Sequence, residues 1–145
     1  MKVLQLTNTN ISAVAANGYM PLGIITVRYP TENVNCQPVF TVTSSTSDTI
    51  AVNKGGTYKL DYSASLMAAA AGTVTLAVLV NGVSKYTVSA TAAAASDLIN
   101  LTIPLDLYLP CNCNAAPNNI PANIQIQNTG VALTGGTSNV IITRY

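Results

Sequence analysis

Between Asp61 and Lys85 the chain carries no charge, and residues 62–80 read YSASLMAAAAGTVTLAVLV. Roughly 20 apolar residues suffice to cross a bilayer as a helix, so a membrane span, a buried helix and a pair of strands all compete for this run. Ser63, Ser65, Thr73 and Thr75 interrupt it, Gly72 sits in its middle, and it lacks the leucine-rich block with basic flanks of a spanning helix. The period decides. Tyr58, Leu60, Tyr62, Ala64 and Leu66 alternate with Thr57, Lys59, Asp61, Ser63 and Ser65, the two-residue repeat of a half-buried strand. Val74, Leu76, Val78 and Val80 then mark a second strand face. Asn81-Gly82 follows before VSKYTVSA, and Asn-Gly between apolar runs is a strong hairpin signal. The run is read as two strands joined by its alanines.

The same pattern extends along the chain. Strand candidates fall at 22–29, 38–44, 48–52, 57–67, 73–80, 83–90, 98–109, 122–128 and 138–144, with turn residues between them. The alanine groups at 68–71 and 92–95 are too short for independent helices. Pro104, inside LTIPLDLYL, demands an edge position or a bulge, because it has no N–H for a ladder. PCNCNAAPNNIP reads as a long loop. Residues 1–20, rich in Asn, Thr and Ala, are expected to form an arm with one short strand, KVLQL, and a possible anchoring role; the competing reading is a strand laid on the domain edge. Residues 21–145 are then one all-β sandwich or barrel, without internal repeat or second domain.

Charge and residue usage limit the chemistry. Of 145 residues only 8% are charged, and the formal net charge is +1. A balance this even and sparse leaves no basic footprint for nucleic acid and no polybasic membrane patch. It is also poor for a freely soluble monomer, so part of the surface is expected to be covered by further copies or by a partner. MKVLQLTNTN has no long apolar segment, so no ordinary secretion signal is expected. Histidine is absent, which removes the Ser/His and Cys/His nucleophilic arrangements. Glu32, Asp48, Asp61, Asp97 and Asp106 are the only carboxylates, and none lies in a catalytic motif. Cys36, Cys111 and Cys113 fall short of the four ligands zinc prefers, and an odd count does not read as a disulfide framework. No catalytic residue, cofactor or metal site is expected.

The order of features carries a resemblance. KGGTYKLDYSASL resembles the Gly-x-Tyr strand of tumour-necrosis-factor-like jelly rolls, a superfamily that includes the complement first-component heads. TVTLAVLVNGV resembles the next strand with its Asn-Gly hairpin. LINLTIPLDLYL resembles the long strand after it, and NIQIQNTGVALTGGTSNVIITRY the last two. Over residues 20 to 145 the chain is similar to C-terminal domains of bacterial collagen-like spore-surface glycoproteins and of phage virion proteins. It departs from them in lacking a Gly-X-Y stalk and in a more polar Gly-x-Tyr strand.

The resemblance implies a ten-strand, two-sheet antiparallel jelly-roll sandwich that assembles as a trimer, with the inner sheet turned to the threefold axis. On that basis Lys59, Asp61, Ser63, Asp106, Tyr108 and Arg144 are the candidate interface residues, with Lys59, Asp61, Asp106 and Arg144 forming charge pairs that set register. The implied role is a non-enzymatic virion protein, a head fibre or capsid-decoration or tail-associated knob. Its partners are further copies of itself and a capsid component, and its place is the virion surface after assembly in the host cytoplasm. The alternative is a recognition module of a phage or spore-coat-like surface, in which loops 30–38 and 111–121, with Tyr29, Tyr86 or Tyr108, engage a host glycan or receptor.

Overall fold

The computed structural model describes residues 1–29, 38–42, 47–109 and 122–145. Among them are ten strands and no helix: β1 Lys2–Ile11, β2 Ile24–Tyr29, β3 Phe40–Val42, β4 Ile50–Val52, β5 Gly56–Ala68, β6 Gly72–Val80, β7 Val83–Ala92, β8 Leu98–Leu109, β9 Ala122–Asn128 and β10 Leu133–Arg144. Two five-stranded antiparallel sheets result. Sheet A has the order β2-β1-β10-β5-β8, and sheet B the order β3-β4-β9-β6-β7.

The charge-free run is β5 and β6, which belong to different sheets and are joined at the corner Ala69–Ala71. Along β5 the alternation holds without a break: Tyr58, Leu60, Tyr62, Ala64 and Leu66 are buried, and the residues between them are not. The β6–β7 hairpin turns on Asn81 and Gly82, both at positive φ (52° and 80°), as a two-residue turn matched to strand twist requires. Pro104 lies in β8, an edge strand of sheet A, so its missing N–H breaks no ladder on the free side.

The core fills the space between the sheets. Leu4, Leu6, Leu60, Leu66, Val140, Ile142 and Ile103 enter from sheet A, and Ile50, Val74, Leu76, Val78, Ile124 and Ile126 from sheet B. Phe40 meets Tyr58 edge to face, with centroids 5.9 Å apart and planes at 71°. The Tyr58 hydroxyl donates to the Lys54 carbonyl oxygen.

Residues 1–20 do not form an arm. β1 is an interior strand, paired with β2 on one side and β10 on the other, and Leu4 and Leu6 are completely buried. The chain then crosses one end of the sandwich. Val14 pairs with Leu133, the Asn17 N–H donates to Asn128 O at 2.6 Å, and the Met20 N–H donates to Ile126 O at 2.7 Å. The expected boundary at residue 20 is therefore corrected: the jelly roll begins with β1. Interior strands need two partners, and both of β1's come from later in the chain.

β10 also starts earlier than its apolar pattern indicates, at Leu133 rather than 138. Gly135-Gly136 hides the first part. A Cβ on Gly136 (φ 148°) would stand 2.2 Å from Ser65 O, so a side chain there would push β10 off β5.

Candidate self-association surface

The outward face of sheet A can be read across its strands from the pairing. One row runs Tyr29, Val3, Thr143, Lys59, Asp106. The next runs Val27, Gln5, Ile141, Asp61, Pro104, and a third runs Thr7, Asn139, Ser63, Thr102. Each row is outward because its neighbours one step along, such as Leu4, Ile142, Leu60 and Leu107, point into the core. Ser63 and Thr102 are short side chains among longer ones. They leave a shallow groove of about 350 Å³, lined among others by Thr7, Ser65, Asn100 and Asn139.

Hydrogen bonds stiffen one side of this face. Asn139 Oδ1 accepts from Gln5 Nε2 at 2.8 Å and from Thr7 Oγ1 at 3.0 Å. Ser65 Oγ donates to Asn100 Oδ1 at 2.6 Å. The face is polar but almost neutral, and its charges gather at one end. Lys59 lies directly opposite Asp106, and its Nζ is 4.0 Å from Asp61 Oδ2. Both members of that contact are about half exposed, so in a lone subunit the pair contributes at most about 1 kcal/mol.

Of the six expected interface residues, Lys59, Asp61, Ser63, Asp106 and Tyr108 share this outward face, and Tyr108 is 75% exposed. Arg144 does not. It follows the parity of buried Val140 and Ile142 and pairs with buried Tyr58, which places it on the core side at the open end of the sandwich. There its Nη2 donates to Gly55 O at 2.8 Å, while its Nε is buried with no hydrogen-bond partner among the described residues. β10 does neighbour β5, as expected, but Arg144 occupies the wrong face to join Lys59 and Asp106.

Two core tyrosines are perturbed. Burial pushes the Tyr62 phenol up to about 12, outweighing the Ser138 hydroxyl beside it, and neither oxygen closes a hydrogen bond within 3.5 Å among the described residues. Burial also raises Tyr58, against the opposing field of Arg144. Both side chains belong to the core between the sheets. Among the described residues no group of three His, Cys, Asp or Glu side chains is placed to hold a metal, and no helix is long and apolar enough to cross a membrane. Cys36, Cys111, Cys113, loop 111–121 and all of loop 30–38 but Pro38 lie outside the described residues. Gln5, Thr7, Asn139 and Ile141 complete the outward face and were not singled out in the sequence. The pairing of β10 with β5 sets Asn139 opposite Ser63 and Ile141 opposite Asp61, and the pairing of β1 with β10 adds Gln5 and Thr7.

Two five-stranded antiparallel sheets in this order define a jelly roll of the tumour-necrosis-factor type. No family model and no curated protein matches the sequence. Solved structures do match. An Eiger tumour necrosis factor from S. frugiperda superposes with a TM-score of 0.67 at 10% identity, covering 99% of this chain and 91% of that one. The globular domain of zebrafish complement 1qA gives 0.63 at 9% identity, covering 99% and 97%. The PRD1 vertex protein P5 gives 0.63 at 15% identity, covering 99% of this chain and 73% of the other. At these identities the likeness establishes the fold.

Proposed function

We propose that this chain is a non-enzymatic structural protein of a virus particle, a head fibre, decoration or tail-associated knob on the virion surface, assembled in the host cytoplasm. It works as a trimer, with the outward face of sheet A turned to the threefold axis. The observation that carries this reading is the make-up of that face. Ser63, Thr102, Thr7 and Asn139 are small or neutral, so three copies can approach closely. Lys59 between Asp61 and Asp106 supplies charges of both signs that fix register more than they add stability. A threefold ring joins two different patches of each subunit, and the two margins of one wide, nearly neutral sheet face can supply both. The similarity to a vertex protein supports a place on a particle. Attachment through a free arm of residues 1–20 is not part of the proposal, since those residues build sheet A and its crossover.

The test is quantitative mass spectrometry of purified particles of the virus that encodes the chain. The reading expects the chain in multiples of three per particle; its absence from intact particles contradicts it. A second reading, recognition of a host glycan or receptor at a phage or spore-coat-like surface, draws on Tyr29 and Tyr108, which stand exposed at the same end of sheet A. A glycan-array signal lost on Tyr29→Ala or Tyr108→Ala favours that reading over a purely structural knob.

A further inference from the structure

The sandwich has four strand edges, and three of them are blunted. β8 carries Pro104, β3 is three residues long, and β7 bulges at charged Lys85, where the pairing steps from Val78–Tyr86 to Leu79–Ser84. β2 differs. It contains no proline or lysine, and among the described residues it pairs only with β1, with no described strand on its other row of N–H and C=O groups. Its single irregularity is a bulge at Thr26, tied back to Thr7 Oγ1 and Gln5 O. Its apolar side chains are uncovered: Ile24 is 73% exposed, Tyr29 62%, Val27 43% and Ile25 41%. No other strand among those described exposes so many.

Charge collects beside this edge. Lys2 of β1 lies directly opposite Arg144 of β10, a like-charge pair that disfavours the sheet. Arg28 of β2 lies opposite Leu4, two residues along β1 from Lys2 and on the same face. These are three of the six cations in the chain. The one ion pair among the described residues is Lys59–Asp61, so no described carboxylate answers them, and the buried Arg144 Nε has no acceptor there.

We propose that the free edge of β2 docks an extended, acidic polypeptide segment of a partner protein. The segment adds as a further strand of sheet A, with its carboxylates set against Arg28 and Lys2 and its alternate apolar side chains against Val27 and Tyr29. A polypeptide is favoured over another polyanion because only a second strand satisfies the open row of backbone groups along the edge, while the cations account for the acidic character. Val27 and Tyr29 begin the outward rows at the β2 margin of sheet A, so the docked strand extends that face at its edge.

The experiment uses the whole chain and a labelled nine-residue peptide of alternating valine and glutamate, followed by fluorescence anisotropy. Controls are the same peptide with lysine for glutamate and with proline at alternate valines. The glutamate peptide is expected to bind, to weaken as salt rises, and to slow amide exchange within Ile24–Tyr29. Arg28 is half-buried opposite Leu4, so circular dichroism first checks that Arg28→Glu folds; the folded variant is expected to weaken binding at least about tenfold, and Lys2→Glu in the same direction. Equal binding of the lysine or proline peptide, unchanged binding by Arg28→Glu, or no binding at millimolar peptide overturns the proposal. So does a sulfated polysaccharide that binds through Arg28 where the glutamate peptide does not.

Discussion

Lys59 on β5 sits directly across from Asp106 on β8, with Asp61 two residues further along its own strand and 4.0 Å away at Oδ2. One cation is thus flanked by two carboxylates at the end of a sheet face that is otherwise neutral. In an isolated subunit this contact is solvated and weak. Closed into an interface, the same group is register-setting, because a shifted neighbour would bury an unpaired charge. The double change Lys59→Met, Asp61→Asn separates the two cases. We expect altered assembly and a clear change in melting temperature, read by sedimentation and calorimetry. A stability change under about 0.5 kcal/mol with unaltered assembly, the usual size for a plain surface site, contradicts an interface there.

Ser63 offers a sharper probe. It is exposed at the middle of the third row, beside Asn139 and Thr102. Ser63→Arg leaves the core untouched, so the circular dichroism spectrum is expected to persist while the oligomer dissociates. An oligomer that survives with full cooperativity moves the contact surface away from sheet A.

Removal of residues 1–20 is expected to unfold the domain. Leu4, Leu6, Ile11, Val14 and Met20 are all buried. At about 1.5–3 kcal/mol each, they match the whole stability of a typical domain, about 5–15 kcal/mol. The truncated chain is expected to give no cooperative melt. A folded truncated protein would restore the reading of this segment as an arm.

That segment also shows where sequence reading stops. The strand alternation of β5, the Asn81-Gly82 hairpin and the edge position demanded by Pro104 are local signals, and each could be read directly. Of β1 only the start, KVLQL, was legible, because TNTN dilutes the pattern after Leu4 and Leu6, and its interior position depends on β10, more than a hundred residues away. Gly135-Gly136 hid the start of β10 in the same way: close approach of two strands leaves no apolar repeat to see. For the surface, the strand faces of Lys59, Asp61, Ser63, Asp106 and Tyr108 followed from parity. Arg144 went astray because neighbouring strands were treated as sharing a face; its own parity with Val140 and Ile142 places it inward. Asn128 escaped notice entirely, since a buried asparagine has no sequence signature. Its Nδ2 donates to Val131 O at 2.9 Å, and its Oδ1 accepts from the Gly130 N–H at 3.1 Å.

Asn128 therefore supports a prediction. It is fully buried and holds the β9–β10 turn while its backbone pairs with the crossover at Asn17 and Gly18. Asn128→Ala strands the Val131 carbonyl and Gly130 N–H away from water and is expected to cost about 2–3 kcal/mol in denaturant unfolding. A loss below about 0.5 kcal/mol would show that the turn is held by its backbone alone.

Tyr62 links stability to alkaline pH. Its folded value, about 12, lies above the ordinary value of 10.0, so between these the unfolded chain loses the proton first. Stability from this group is intact below pH 10 and falls as pH rises toward 12, by up to about 2.7 kcal/mol at 1.36 kcal/mol per unit. Tyr58 is shifted in the same direction and adds to the loss. Tyr62→Phe removes a buried hydroxyl with no hydrogen-bond partner among the described residues, so it is expected to hold or raise stability at neutral pH and to flatten the decline above pH 10. An unchanged alkaline decline would assign it to other groups.

The central claim is assembly through sheet A, and the mass of the intact chain in solution by light scattering tests it most directly. The subunit is 15.0 kDa, so the account predicts three times that, about 45 kDa, falling to a single subunit with Ser63→Arg. A folded species that stays at 15.0 kDa across the accessible concentration range would contradict it.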